Sequence, residues 1–187
     1  NLDHIAFFGA HDRKKSIDKF NILKNKTSII KFGVDTNFWR PSDENHEDYF
    51  FSVGQDPQRD FNTLIRANVD YPIHIHTELN VKSSKKNIYI TNGNFFNRTL
   101  SDIELRKLYQ NSIAVIVPLM DVVQPSGYSV TLQAMSCGKP VILTKTRGLW
   151  DKNILINNLN CLLVEPHNSD CLTKAMNKII NNQVFRK

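Results

Sequence analysis

The sequence predicts an α/β fold in which a parallel sheet is covered by helices on both faces. Short continuous apolar runs, such as residues 141–143, alternate along the chain with longer amphipathic segments. Continuous apolar runs are typical of strands that are buried on both faces of a parallel sheet. The 187 residues, 41% of them hydrophobic, suffice for one good core, or for one domain plus a fragment of another.

Each predicted element rests on a local pattern. Asp60 is placed to cap a helix, and Ser101 with Glu104 three residues later forms a capping box. Ser169 precedes an amphipathic run and is interpreted as the cap of the last helix. The predicted strands are residues 3–8, 27–32, 49–53, 73–76, 87–90, 113–119, 141–144 and 161–164. Besides the three capped helices, the predicted helices are residues 12–21, 129–137 and a short one over 149–157.

A polar, acidic stretch over residues 42–48 has the composition of a linker. We therefore expect residues 1–40 to be the end of one domain with its junction, and residues 41–187 to form a second domain. The chain begins with Asn1 rather than Met. We expect sequence upstream of it to have been removed.

The most informative segment is the turn and helix over residues 124–137. Ser126 and Gly127 open the turn with small side chains. The backbone N–H groups of Gly127, Tyr128 and Ser129 are therefore able to point at an anion, and the helix dipole adds partial positive charge there. Nucleotides usually bind at the carboxyl edge of a parallel sheet, so the segment predicts a phosphate-binding turn. An ordinary strand-to-helix turn is the alternative.

The net charge, two basic clusters and two histidines indicate which kinds of ligand the sequence suits. The formal net charge of +6 suits a nucleotide diphosphate, a nucleic acid or an acidic membrane face. The basic clusters at residues 13–15 and 82–86 lack interleaved aromatic residues, which favours a solvated surface over a nucleic-acid interface. His74 and His76 share one face of a strand without a third ligand at useful spacing. No metal site is therefore predicted.

The cysteines and the hydropathy pattern indicate a cytoplasmic location. The three cysteines, Cys137, Cys161 and Cys171, have no CxxC spacing. They are interpreted as reduced structural thiols rather than as reactive or metal-binding ones. The sequence contains no run of about 18 apolar residues, so no membrane span is predicted.

Five landmarks in chain order resemble the carboxyl-terminal half of GT-B glycosyltransferases of the large retaining class, group 1 or family 4. These landmarks are residues 32–41, 51–67, 100–109, 113–144 and 160–166. In that family two Rossmann-like domains face each other, and the second binds the sugar nucleotide. The resemblance therefore implies a Rossmann-like carboxyl-terminal domain that follows a remnant of the amino-terminal one.

The resemblance also implies roles for single residues. The family signature is a glutamate, seven residues and a second glutamate. Gln133 stands at the second position here, and Pro125 at the first, or Gln124 if the turn has one extra residue. Gln133 is expected to keep the ribose contact through uncharged hydrogen bonds. Pro125 has no side-chain donor or acceptor, so recognition of the sugar is expected to differ from the common pattern.

A second implied group neutralises the diphosphate as it leaves. The family uses an arginine and a lysine in one loop, and the matching residues here are Gln55 and Arg59. Arg59 is the expected catalytic residue, because a guanidinium donates two N–H bonds to phosphate oxygens while charge accumulates. Gln55 is expected to donate a neutral hydrogen bond. Lys145 and Arg147 are candidates for the missing cation, and the family contacts the nucleobase near residues 92–99.

The leading hypothesis is the donor-binding portion of a retaining glycosyltransferase, which transfers a sugar from a UDP-, GDP- or ADP-linked donor to a hydroxyl acceptor. The resemblance implies no metal and no other cofactor. The missing amino-terminal domain is expected to supply the acceptor site, and the full-length protein to lie in the cytoplasm, with peripheral contact at the inner membrane face as one option. The fragment alone is expected to bind without turnover. The alternative is a non-catalytic nucleotide or nucleotide-sugar module that lacks the paired glutamates; a nucleic-acid-binding domain comes third.

Overall fold

Two parallel sheets are present in the computed structural model, which describes residues 3–42, 47–92 and 100–182. The smaller sheet pairs β1 (Ile5–Phe7) with β2 (Thr27–Ile29). The larger sheet contains β3 (Phe50–Val53), β4 (Ile73–Thr77), β5 (Ile88–Asn92), β6 (Ala114–Val117), β7 (Val141–Thr144) and β8 (Leu162–Val164). Its strands lie in the order β5-β4-β3-β6-β7-β8, and every pair in it is parallel.

The described ranges contain five α-helices, four of them between strands and the fifth after β8. They are α1 (Ala10–Phe20), α2 (Phe61–Arg66), α3 (Asp102–Asn111), α4 (Tyr128–Ser136) and α5 (Ser169–Asn181). A short 3-10 turn, Lys24–Lys26, precedes β2. Except between β7 and β8, the alternation of strand and helix is the one that the apolar pattern predicts.

Helices cover both faces of the larger sheet because side chains alternate between the faces along each strand. Phe50 packs in the core that α2 and α5 cover, and its neighbour Phe51 packs in the core that α3 and α4 cover. Both phenylalanines are fully buried. The predicted parallel sheet with helices on both faces is therefore confirmed.

Side-chain caps fix where the helices begin. Asp60 Oδ1 accepts a hydrogen bond from Thr63 N at 3.0 Å, and the capping box of Ser101 and Glu104 is formed in full. Both predicted caps are confirmed. The predicted Ser169 cap is wrong by one residue, because the preceding Asn168 accepts from the backbone N–H of Cys171 at 2.9 Å.

The predicted short helix over residues 149–157 is wrong. This segment consists of turns, in which Asp151 Oδ1 accepts from the backbone N–H groups of Asn153 and Ile154. Asn160 Oδ1 likewise accepts from Ile156 N at 3.0 Å. Such side chains compete with helical hydrogen bonds for the backbone donors. The segment therefore forms turns, and its apolar residues are not part of a helix.

The strand order reverses between β3 and β6. The chain runs from β3 outward through β4 and β5, then returns to β6 on the other side of β3 and continues through β7 and β8. A crevice opens beyond the carboxyl ends of two such strands, where ligands bind in open α/β sheets. The loops that follow β3 and β6 border this crevice.

The segment before the larger sheet is attached to α3 and α4. Its carbonyl oxygens at Phe38 and Arg40 accept hydrogen bonds from Arg106 Nη1 at 3.0 Å and Gln110 Nε2 at 2.7 Å. Ser136 Oγ donates to the carbonyl of Trp39. The division of the chain at residue 40 stays a prediction.

None of the helices in the three described ranges combines the length and apolar character that a membrane crossing needs.

Candidate functional site

Arg59 is a buried cation in the loop that joins β3 to α2. Its side chain is 6% exposed, and among the described residues neither Nε nor Nη1 has a hydrogen-bond partner. Burial lowers the pKa of Arg59 to about 10, so the guanidinium still carries its charge at neutral pH. A buried charge without paired donors is costly, and an anion would relieve that cost.

Two glycines make room for this guanidinium. A Cβ atom on Gly54 would lie 2.2 Å from Arg59 Nε, and one on Gly127 would lie 3.5 Å from Nη1 and 2.7 Å from Val117 Cγ1. Gly127 also has φ of 78°, in the left-handed region that favours glycine. Arg59 therefore lies between the loop after β3 and the turn that precedes α4.

The amino terminus of α4 faces the same place. Gly127 is its N-cap, and no side chain within residues 3–42, 47–92 and 100–182 caps the helix. The backbone N–H groups of the first helical residues, Tyr128 and Ser129 among them, have no acceptor within a helix. The helix dipole adds partial positive charge at this end. The predicted backbone donors and Arg59 are thus brought together, although 68 to 70 residues separate them in the sequence.

Ser126 is engaged by a carboxylate that the sequence analysis did not single out. Ser126 Oγ donates to Asp56 Oδ2 at 2.5 Å, and Asp56 Oδ1 accepts from Gln58 N at 2.9 Å. The backbone N–H of Arg59 donates to the Asp56 carbonyl at 2.9 Å. While this arrangement holds, the Ser126 hydroxyl can accept from a ligand but has no proton left to donate to it.

Gln133 lies at the contact between α3 and α4. Its Oε1 accepts a hydrogen bond from Tyr109 Oη at 3.1 Å. Tyr109 is fully buried, and its pKa is raised by burial, so the phenol remains a proton donor. One lone pair of the Gln133 carbonyl is therefore occupied, and the amide group supplies the remaining donors. In the sequence Tyr109 is the last residue of the landmark over residues 100–109, but nothing there indicates its contact with Gln133.

Tyr128 contributes more than a backbone donor. Its ring packs against Phe8 and Phe32 from the β1–β2 region, with ring centroids 5.4 Å and 4.5 Å away. A Cβ atom on Gly9 would lie 2.7 Å from Pro125 Cγ. The segment that precedes the larger sheet thus packs directly against the turn before α4 and helps to hold it.

Three further residues were predicted to contribute to the site, namely Gln55, Lys145 and Arg147. Gln55 is half-buried in the loop with Arg59. Arg147 Nε pairs with Asp121 Oδ2 at 2.9 Å, and Lys145 Nζ lies 3.8 Å from Glu165 Oε1. The two candidate replacement cations therefore already have carboxylate partners.

His74 and His76 belong to no ligand set among the described residues. His76 Nδ1 lies 2.9 Å from Thr91 Oγ1, and His74 stacks on Tyr49 with ring centroids 4.2 Å apart. Within the described ranges no three His, Cys, Asp or Glu side chains are grouped to hold a metal ion. Of the loop predicted to contact the nucleobase, residues 93–99 lie outside the described residues.

Taken together, the crevice offers a cation with unpaired N–H groups, the amino end of a helix and one carboxylate. The first two suit an anion with several oxygen atoms. The carboxylate suits hydroxyl donors. The three groups come from the loops that follow β3 and β6, where the strand order reverses. Together they make up the candidate site.

Comparisons with known proteins agree with this architecture. The family model described as glycosyl transferases group 1 matches residues 76–187. The chain is 31% identical over 176 residues to MJ1178, an uncharacterized glycosyltransferase of Methanocaldococcus jannaschii, and the match covers 88% of this chain and 47% of that protein. The chain thus spans about half the length of this curated relative.

Solved structures give the same fold. The Anabaena protein Alr3699/HepE, in complex with UDP-glucose, superposes with a TM-score of 0.76 at 15% identity, over 98% of this chain and 56% of that one. Sucrose-phosphate synthase from Thermosynechococcus elongatus superposes with a TM-score of 0.77 at 17% identity, over all of this chain and 51% of that one. At such identities the likeness concerns the fold, which is that of a GT-B glycosyltransferase. Because the family model matches more than half of the chain, the chain belongs to the group 1 family of glycosyl transferases.

Proposed function

We propose that this chain is the donor-binding portion of a retaining glycosyltransferase that moves a sugar from a nucleoside diphosphate to a hydroxyl acceptor. The observation that carries the proposal is Arg59, a buried guanidinium whose Nε and Nη1 have no hydrogen-bond partner in the described part of the chain. It lies against the glycine that begins α4. The complex of the related Anabaena protein with UDP-glucose supports a nucleotide-sugar as the ligand.

In this proposal the diphosphate binds between Arg59 and the first backbone N–H groups of α4. As the bond between sugar and phosphate breaks, negative charge grows on the departing phosphate oxygens, and these fixed donors stabilise it. Arg59 and the helix terminus supply the positive charge, so the reaction proceeds without a metal ion. The acceptor site, the transfer itself and the stereochemical outcome belong to the whole protein, of which this chain supplies the donor side.

The test is a calorimetric titration of the chain with UDP, GDP and ADP. We expect one of them to bind with micromolar to submillimolar affinity. Arg59→Ala should weaken that binding by about 10- to 100-fold, because a charge-assisted hydrogen bond contributes roughly 1.5–3 kcal/mol. EDTA should leave the affinity unchanged.

The matched control is Arg66→Ala. Arg66 ends α2, is exposed and donates to Thr63 Oγ1 at 2.9 Å, so its removal should leave nucleotide affinity unaltered. Absence of binding by all three nucleotides at millimolar concentration, or equal effects of the two substitutions, would contradict the proposal.

A further inference from the structure

Asp56 is a half-buried carboxylate at the border of the crevice, and it still has acceptor capacity. From the residues that the structure describes, each of its oxygens accepts one hydrogen bond, Oδ1 from Gln58 N and Oδ2 from Ser126 Oγ. A carboxylate has about four lone-pair sites. Both oxygens can therefore accept one more hydrogen bond each from a ligand.

The surroundings of Asp56 decide what kind of group can lie against it. Burial lowers the pKa of Arg59, and the charge of Asp56 partly opposes this effect. The carboxylate and the guanidinium therefore lie near each other. Phosphate oxygens are attracted to Arg59 and to the start of α4 but are repelled by a carboxylate. The part of the ligand next to Asp56 must consequently be uncharged and must carry O–H or N–H donors.

The protein holds this carboxylate in place before any ligand arrives. Asp56 and Ser126 connect the loop after β3 to the turn before α4, across 70 residues of sequence. The Asp56 carbonyl also accepts the backbone N–H of Arg59 at 2.9 Å. The acceptor oxygens are thus held at the same border of the crevice as Arg59 and the turn before α4.

We infer that Asp56 binds the hydroxyl groups of the transferred sugar and so distinguishes a sugar nucleotide from the bare nucleoside diphosphate. The inference rests on the proposed function. It also addresses the absence of glutamates at positions 125 and 133, since Asp56 brings a carboxylate to the same turn from another loop. Asp56 is in this sense a specificity-determining residue.

The experiment compares two ligands in one protein. The affinity of the chain is measured for the tightest of UDP, GDP and ADP, and for the glucose, mannose and N-acetylglucosamine conjugates of that nucleotide. Asp56→Asn keeps the side-chain volume and can still bond Gln58 N and Ser126 Oγ, so the loop should fold as before. We expect Asp56→Asn to weaken the best sugar conjugate about tenfold while the bare diphosphate binds equally well or more tightly.

Two further variants separate the roles. Ser126→Ala removes the partner of Asp56 but leaves the carboxylate, and it should change the ratio of the two affinities less than Asp56→Asn does. Asp70→Asn, at an exposed turn, is the matched control for loss of one negative charge and should change neither affinity.

Each remaining outcome has a definite meaning. Equal losses for the diphosphate and its sugar conjugates would show that Asp56 only positions the turn, and would overturn the inference. Unchanged affinities for both would overturn it as well. Failure of the unaltered chain to bind any nucleoside diphosphate would instead refute the proposed function, and the inference together with it.

Discussion

Tyr109 Oη donates a hydrogen bond to Gln133 Oε1 at 3.1 Å and thereby joins α3 to α4 within the buried part of the site. Tyr109→Phe removes this bond and leaves the amide carbonyl of Gln133 without that donor. We expect the free energy of unfolding to fall by about 1 kcal/mol, measured by urea denaturation. Tyr89→Phe, on a ring that is 53% exposed, is the control and should have no measurable effect. Equal stability of Tyr109→Phe and the unaltered chain would show that the bond contributes nothing.

Replacement of Arg59 should affect stability and binding in opposite directions. Burial lowers the pKa of Arg59 to about 10, so the protonated form is less stable in the folded chain than in the unfolded one. Arg59→Met removes the unpaired charge and keeps much of the packing. We expect the free energy of unfolding to rise by roughly 1–3 kcal/mol while nucleotide affinity is lost. A variant that is both less stable and unable to bind would indicate that Arg59 serves the fold.

Gly127 should tolerate no side chain. Its φ of 78° is unfavourable for alanine, and the added Cβ atom would lie 2.7 Å from Val117 Cγ1. We expect Gly127→Ala to lower the free energy of unfolding by about 1–3 kcal/mol and to weaken nucleotide binding, because the first turn of α4 must shift. Gly33→Ala is the control, since a Cβ atom there meets no atom of the described residues within 4 Å. Similar melting temperatures for the two variants would argue against a closely packed turn.

Lys139 should make stability depend on alkaline pH. Burial lowers its pKa to about 8 from its ordinary value near 10.5. Between these two values the unfolded chain binds more protons than the folded chain, so this residue makes the folded state more stable as pH rises through that window. Lys139→Met should reduce the rise in unfolding free energy between pH 8 and 10.5. Lys174→Met, at an exposed position of α5, should leave it unchanged, and identical pH profiles for both variants would refute the prediction.

The sequence carries most of the fold because the elements have local signatures. Apolar runs such as Val141–Thr144 are buried along their whole length, and Ser101 with Glu104 begins α3 as a capping box should. The short helix over residues 149–157 was wrong because apolar residues there suggested a helix, while Asp151 and Asn160 take the backbone donors for turns. The hydrophobic pattern alone does not show that side-chain oxygens compete for the backbone N–H groups.

The candidate site, like the fold, was predicted from the sequence only in part. The turn before α4 is visible along the chain, because small residues precede a helix, and Arg59 is implied by the resemblance of its loop to the family's loop. The bonds of Asp56 to Ser126 and of Tyr109 to Gln133 are not, since they join side chains 70 and 24 residues apart. The strand order places the loops after β3 and β6 side by side and so creates the first bond, whereas the packing of α3 against α4 creates the second.

Backbone amide shifts in the ¹H–¹⁵N NMR spectrum show whether a nucleoside diphosphate binds between Arg59 and the start of α4. On addition of the tightest of UDP, GDP and ADP, we expect the largest shifts at Gly127, Tyr128 and Ser129, and we expect Arg59→Met to abolish them. Shifts concentrated at the opposite edge of the sheet, around Lys139 and Asn160, or shifts that persist in Arg59→Met, would contradict it.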